Sequence, residues 1–367
     1  MTKYLSGFLV FSLGLLLLGA YFRPAEPVSL RQSPSLPRLQ ARSCAQGAKP
    51  FRPVQRLVLE ETPEHPIAEI RDVDVLPSGD LVVIDGMSAN VRLHDSLGFL
   101  KKIVGRKGKG PGEFVKPTSV AVSANGFVLV GDQGSNRVTR YRSDLTFDTT
   151  YSVPGLFVFG LDAFEDGFLV MSYRRFEDTC LILNWDGRVI GSAQPFEPEV
   201  FSVPYWEAPS KQFLSLGPRG FSVGTTVLYP IRQYDLRGRK LEDVGYPPPS
   251  WKEPVRPKRG QFVGLNRDAR LDAWVRSFSI ISGVDWYRDS LLLVSHGRFD
   301  PSPHLRFRVR HEAVDVYDAD GEKIGEDIPL PGRILYAGEY VYMLTTEPPA
   351  PWTVQVAELV TKDGLRR

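Results

Sequence analysis

The chain has 367 residues and carries 45 Lys and Arg against 43 Asp and Glu, a formal charge of +2. This near-neutral balance excludes attraction to nucleic acid through a global positive field, so any pull on anions has to come from local clustering. A content of 42% hydrophobic and 24% charged residues excludes a disordered chain, and 33 Gly with 30 Pro between short apolar runs point to strands and turns.

The first element is apolar. In "MTKYLSGFLVFSLGLLLLGAYFRP" no charge interrupts Tyr4–Phe22, and at helical rise this stretch spans about 28 Å, close to the hydrocarbon thickness of a bilayer. A signal-peptide cut after Ala20 would put Leu18 at the −3 position, where a small residue is needed. Residues 1–23 are therefore expected to form a signal-anchor or transmembrane helix that is not removed. The bulk of the chain is placed outside the cytoplasm, on the periplasmic side of the inner membrane in a bacterium. Residues 24–50, rich in Pro, Ser and Arg without periodicity, read as a tether. Of the two cysteines, Cys44 lies in this tether and Cys180 in an apolar strand pattern. They do not form a disulfide framework, and a buried Cys180 beside an incidental Cys44 is the simpler reading.

From residue 51 the sequence repeats itself. "IRDVDVLPSGDLVVIDGMSANVRLHDSLGFLKKIVG" (70–105) and "PTSVAVSANGFVLVGDQGSNRVTRYRSDLTFDTTYSV" (117–153) share one order: alternating strand, Gly turn, apolar strand ending in Asp, polar loop, strand, turn, strand. Asp85 and Asp132 stand 47 residues apart, as do Gly79 and Gly126. Four weaker copies follow, and the last lacks a fourth strand that "PVQRLVLEE" (53–61) is expected to supply. The predicted fold is all-β, with six four-stranded blades over residues 51–367 closed by the N-terminal strand into a six-bladed β-propeller. Closure of this kind removes free sheet edges.

The segment "GRKGKGPGEFVKPTSVAVSANGFVLVGDQGSNRVTRY" (105–141) resembles an NHL repeat of a six-bladed propeller. The likeness rests on the turn containing Gly110, Pro111, Gly112 and Phe114, and on Asp132, Asn136 and Arg137 after the second strand. Blade one has Asp85, Asn90 and Arg92 in similar places, whereas later blades depart from the pattern. The resemblance implies architecture more than ligand, because one fold hosts scaffolds, binding modules, lyases and lactone hydrolases.

The glycine-rich stretch 105–114 is expected to be a blade junction. A phosphate-binding P-loop needs Ser or Thr after its lysine and a helix after the loop, and this segment has neither. Asp132 is expected to accept hydrogen bonds from backbone N–H groups of its loop, and Arg137 to pair with a neighbouring carboxylate. Catalysis finds little support. His296, His304 and His311 follow no zinc spacing, and no nucleophile elbow or CxxC is present. Propeller lactonases, which the fold resembles, hold a central calcium with Glu, Asn and Asp from inner strands, and under that resemblance Asp74, Asp162 and Asp285, together with Asp72, are the candidate counterparts. No cofactor is expected except calcium under that alternative, a propeller hydrolase or lyase acting on a lactone, ester or glycan in its funnel.

The long insertions point instead to binding. They are 196–213, 245–278 and 296–312, and they are expected to emerge on one face. The first carries Tyr205 and Trp206. The second carries Trp251, Arg256, Lys258, Arg259, Trp274 and Arg276, with a short helix expected within "NRDARLDAWVRSF". The third carries Arg298, Arg306, Arg308 and Arg310. Large aromatic rings interleaved with Arg are what interface hot spots favour. The expectation is a membrane-anchored binding or scaffold protein docking on a protein partner or membrane complex, or on anionic lipid headgroups, and not on nucleic acid.

Overall fold

The computed structural model describes residues 50–153, 156–173, 180–194, 212–255, 267–299, 309–346 and 351–360. The expected anchor helix over 4–22, the tether and Cys44 lie outside these residues. Among the described residues no helix is long and apolar enough to cross a membrane.

Six antiparallel sheets form the blades. Blade 1 is β2 (Ile70–Val75), β3 (Leu81–Asp85), β4 (Asn90–His94) and β5 (Leu100–Val104). Blade 2 is β6 (Pro117–Val122), β7 (Val128–Asp132), β8 (Arg137–Tyr141) and β9 (Phe147–Ser152). Blade 3 is β10 (Leu156–Phe164), β11 (Gly167–Tyr173), β12 (Cys180–Asn184) and β13 (Val189–Ala193). Blade 4 is β14 (Gln212–Gly217), β15 (Gly220–Thr225) and β16 (Leu228–Tyr234). Blade 5 follows α1 (Arg267–Val275) and comprises β17 (Ile280–Tyr287), β18 (Leu291–Phe299), β19 (Val309–Asp318) and β20 (Lys323–Pro329). Blade 6 is β21 (Arg333–Ala337), β22 (Val341–Thr346) and β23 (Thr353–Leu359), completed by β1 (Phe51–Val58).

The innermost strands β2, β6, β10, β14, β17 and β21 touch in that order, and β21 returns to β2. The ring closes through β1, which pairs antiparallel with β23 from Phe51 opposite Leu359 to Val58 opposite Thr353. The sequence therefore located the closing strand, two or three residues late. Blade 4 departs from the four-strand expectation. Its outer position holds only the isolated bridges Ile231–Val244 and Tyr234–Lys240, while Arg232 and Lys240 both reach the Asp243 carboxylate, at 2.6 and 3.1 Å.

Burial explains the strand sequences. In β3 (LVVID) and β7 (VLVGD) all five residues are buried, because second strands are covered on both faces by neighbouring blades. Such strands read as continuous apolar runs, and each fully buried aliphatic side chain contributes roughly 1.5–3 kcal/mol. One inter-blade core joins Ile84 and Val91 of blade 1 to Val120, Val130 and Tyr141 of blade 2, with Phe114 among them. Cys180 is a free, buried thiol in β12, and burial pushes its pKa up.

Candidate functional site

The glycine-rich junction has no vacant anion cradle. The Phe114 N–H donates to the Arg106 carbonyl at 2.9 Å, Gly108 N–H to the Phe114 carbonyl at 3.0 Å, and Gly110 N–H to the Glu113 carboxylate at 2.9 Å. Gly105 is required by its positive φ of 85° and by the Phe114 ring, which would lie 2.6 Å from an added Cβ. Arg137 does not meet a carboxylate as expected. Its guanidinium donates to the carbonyls of Lys109, Gly110 and Glu113, at 3.0, 3.1 and 2.6 Å. The turn aims its carbonyls inward at a cation, the opposite polarity to a phosphate loop.

Asp132 is fully buried and staples the same junction. One carboxylate oxygen accepts from Lys116 N (2.7 Å) and Gly134 N (3.1 Å), the other from Val115 N (2.9 Å) and the Ser135 hydroxyl. Asn136, at a φ of 53°, accepts from Phe157 N at 2.9 Å with its side-chain oxygen. In blade 1 Asp85 accepts from Ala68, Glu69 and Ser88 N–H groups and pairs at 3.3 Å with buried Arg92.

The inner-strand acids have a related task. Asp72 accepts from Val73 N and, across the blade boundary, from Val120 N at 2.8 Å. Asp74 accepts from Val75 N and from Val122 N of blade 2, both at 2.6 Å. Asp162 accepts from Ala163 N and from Leu216 N of blade 4. Burial pushes Asp72 up to about 7, Asp162 up to about 6 and Asp74 well above the carboxylate range, against the pull of these N–H groups. Burial also lifts Asp285 to about 7, with the charges of Asp72 and Asp162 adding to the effect. Asp285 has no such staple among the described residues. The inner strands contain neither Glu nor Asn. Nor do these four acids converge closely enough to share an ion among the described residues. Among the described residues these inner-strand acids do not form the donor set of a lactonase-type calcium, and Asp72, Asp74 and Asp162 act as inter-blade hydrogen-bond acceptors.

The predicted binding residues divide. Arg256, Lys258, Arg259, Arg306, Arg308, Tyr205 and Trp206 lie outside the described residues. Trp274, expected to face a partner, is 6% exposed. It sits in a cluster with Val227, Val275, Phe278, Ile280 and Phe299, and its indole N–H donates to the Val255 carbonyl at 2.7 Å. Trp274 anchors α1 on the protein, its ring meeting that of Phe278, just beyond the helix, edge-on at 5.1 Å. Trp251 is half-buried, with its ring edge-on to Tyr229 at 5.0 Å.

This packing nevertheless joins two basic segments. Phe278 beside α1 meets Phe299 at the end of β18 at 6.4 Å, so α1 is seated against the loop end of the β18–β19 hairpin. Arg270 of α1 is exposed and Arg276 just after it half-buried, while Arg298 and Arg310 belong to the hairpin strands that carry Phe299 and Val309. Arg298 and Arg310 stand directly opposite each other in the β18–β19 register. Like charges at facing positions are destabilising. Among the described residues the carboxylate paired with them is Glu312, 3.5 Å from Arg298.

The sequence profile of a protein family, DUF5128, described as a 6-bladed beta-propeller, matches residues 45–186. Among solved structures, a protein from Bacteroides fragilis described as a "putative exported protein" aligns with a TM-score of 0.57 at 13% identity, covering 84% of this chain and 95% of its own. A member of the duf4221 family from Bacteroides vulgatus aligns with a TM-score of 0.64 at 12% identity, covering 84% and 97%. No curated protein matches the sequence significantly. At these identities the likeness establishes the fold.

The spacing of histidines in the sequence did not disclose a second cluster. His296 on β18, Asp315 on β19 and Asp327 on β20 bring one ligand atom each within 4.8 Å of one another. They are 19 and 12 residues apart, and only the cross-strand register and an irregularity in β20 unite them.

Proposed function

We propose that the chain is a membrane-tethered, extracytoplasmic propeller of NHL-like repeats that serves as a non-enzymatic binding or scaffold subunit. It docks on an acidic protein surface of a membrane complex through the rim built by α1 and the β18–β19 hairpin. The observation that carries this reading is the facing pair Arg298 and Arg310. Two arginines held opposite each other raise the energy of an isolated hairpin, a local conflict of the kind proteins retain where a partner supplies the missing negative charge. The seating of α1 beside them supplies a fixed platform. The hydrogen-bonded inner acids favour binding over catalysis, since three of the four are occupied in joining blades.

The test is capture from detergent-solubilised membranes by the full-length chain across a salt series. Charge docking predicts retention of a partner at low ionic strength and release near 1 M, where screening acts over about 3 Å. Retention that is indifferent to salt contradicts the reading. Equal binding to protein-free vesicles of anionic lipid would move the assignment from a protein to a lipid surface.

A further inference from the structure

We propose that His296, Asp315 and Asp327 form a three-ligand site for a divalent transition-metal ion of the zinc class, set in blade 5 away from the central funnel.

The imidazole is the first observation. His296 is 4% exposed, and its Nε2 is buried without a hydrogen-bond partner. That nitrogen is aimed at two carboxylate oxygens, Asp315 Oδ1 and Asp327 Oδ1, each 3.5 Å away. The separation is too long for a good hydrogen bond. It matches the edge of a coordination tetrahedron: ligands about 2.1 Å from a central zinc lie about 3.4 Å from one another. A neutral imidazole would offer its lone pair to the ion from this position.

The second observation is the arrangement of the carboxylates. Asp315 is fully buried, and its other oxygen, Oδ2, takes the Lys323 ammonium at 3.2 Å and the Tyr229 hydroxyl at 3.4 Å. Oδ1 also accepts from Asp327 N at 2.9 Å. Asp327 Oδ1 accepts from the Ser250 hydroxyl at 2.5 Å. These outer contacts hold both oxygens toward the imidazole, as second partners of metal ligands do. Asp327 sits at a φ of 50°, in the stretch where β20 has extra residues opposite Asp315, between the pairs Val314–Ile328 and Val316–Gly325.

Charge is the third. Around Lys323 stand the carboxylates of Asp315 and Glu326, at 3.2 and 2.9 Å, with Asp327 joined to the same group through His296. Among the described residues Lys323 is the one ammonium paired with Asp315 and Glu326, and Asp327 pairs with neither Lys nor Arg. A divalent ion neutralises the excess. Imidazole with carboxylate selects zinc or a neighbouring transition metal over calcium or magnesium, which prefer all-oxygen shells. The Asp327 side chain is 31% exposed, which provides an entry path and an outward position for water as a fourth ligand. The ion would tie β18, β19 and β20 to the Ser250 segment between blades 4 and 5.

The experiment is zinc titration of the chelator-stripped, full-length protein by calorimetry, with cobalt absorption as a report on geometry. Wild type should take up one equivalent per chain, with a rise in thermal midpoint. The variants Asp327→Asn and His296→Gln should each lose at least tenfold in affinity. Asn tolerates the left-handed backbone at 327 as Asp does, so Asp327→Asn decides the matter if His296→Gln fails to fold. No saturable uptake by wild type overturns the proposal. Uptake unchanged in Asp327→Asn, or calcium bound as tightly as zinc, overturns it equally.

Discussion

Replacing Asp132 by Asn converts one of two accepting oxygens into a donor inside a fully buried site. Four donors converge there: Val115 N and the Ser135 hydroxyl on one oxygen, Lys116 N and Gly134 N on the other. The least costly arrangement puts the new amide NH2 on the Ser135 side, because a hydroxyl can rotate and accept. Val115 N–H then has no acceptor, which costs about 1–3 kcal/mol, and the bonds to Lys116 N and Gly134 N lose their charge assistance. The sum is about 3 kcal/mol. Urea denaturation followed by tryptophan fluorescence should show this loss with an unchanged slope. Asp132→Ala, which orphans all three N–H groups, should cost more. An Asp132→Asn protein within about 1 kcal/mol of wild type would refute the claim that this residue staples the blade junction.

The equivalent Asp85→Asn should cost about 3–5 kcal/mol, since it also removes the counterion of buried Arg92, and the same urea assay measures it. Asp285→Asn should be stabilising above neutrality. Its folded pKa of about 7 lies above the unfolded value, so wild-type stability is greatest below about pH 4 and is lost as pH rises through 7. The variant's advantage should therefore grow from nothing at pH 4 to as much as about 4 kcal/mol at pH 8, and a constant difference across that range would count against it. Deleting residues 51–58 should expose the edge of β23 and cause aggregation, read by light scattering; a soluble, cooperatively folding truncation would contradict closure by β1. Mass spectrometry of the mature N-terminus should find residues 4–22 retained, and a start between residues 20 and 50 would end the tether proposal.

The sequence disclosed the architecture because each blade repeats a local grammar. Buried second strands such as LVVID and VLVGD are apolar throughout, and polar turns separate them at regular intervals. Closure was legible too, since the last blade was one strand short. Blade 4 differs because residues 240–244, at the place of its outer strand, make only isolated bridges. Trp274 was misassigned for a different reason: an aromatic residue in a basic, amphipathic segment looks the same whether its ring anchors the helix or a partner. His296, Asp315 and Asp327 left no motif at all. They lie on three neighbouring strands, and their meeting depends on register and on a left-handed residue that composition does not reveal. Inner acids were legible as residues lining the funnel but not as staples, because their partners are backbone groups of the next blade.

The central claim is that the rim of α1 and the β18–β19 hairpin docks on an acidic protein partner. It is tested most directly by reversing the facing pair, Arg298→Glu with Arg310→Glu, and measuring capture of the partner from solubilised membranes beside thermal unfolding of the purified chain. The account predicts that capture is lost while the unfolding midpoint stays within a few degrees of wild type, since both arginines are at the rim and neither is buried. Undiminished capture by the double variant would contradict it.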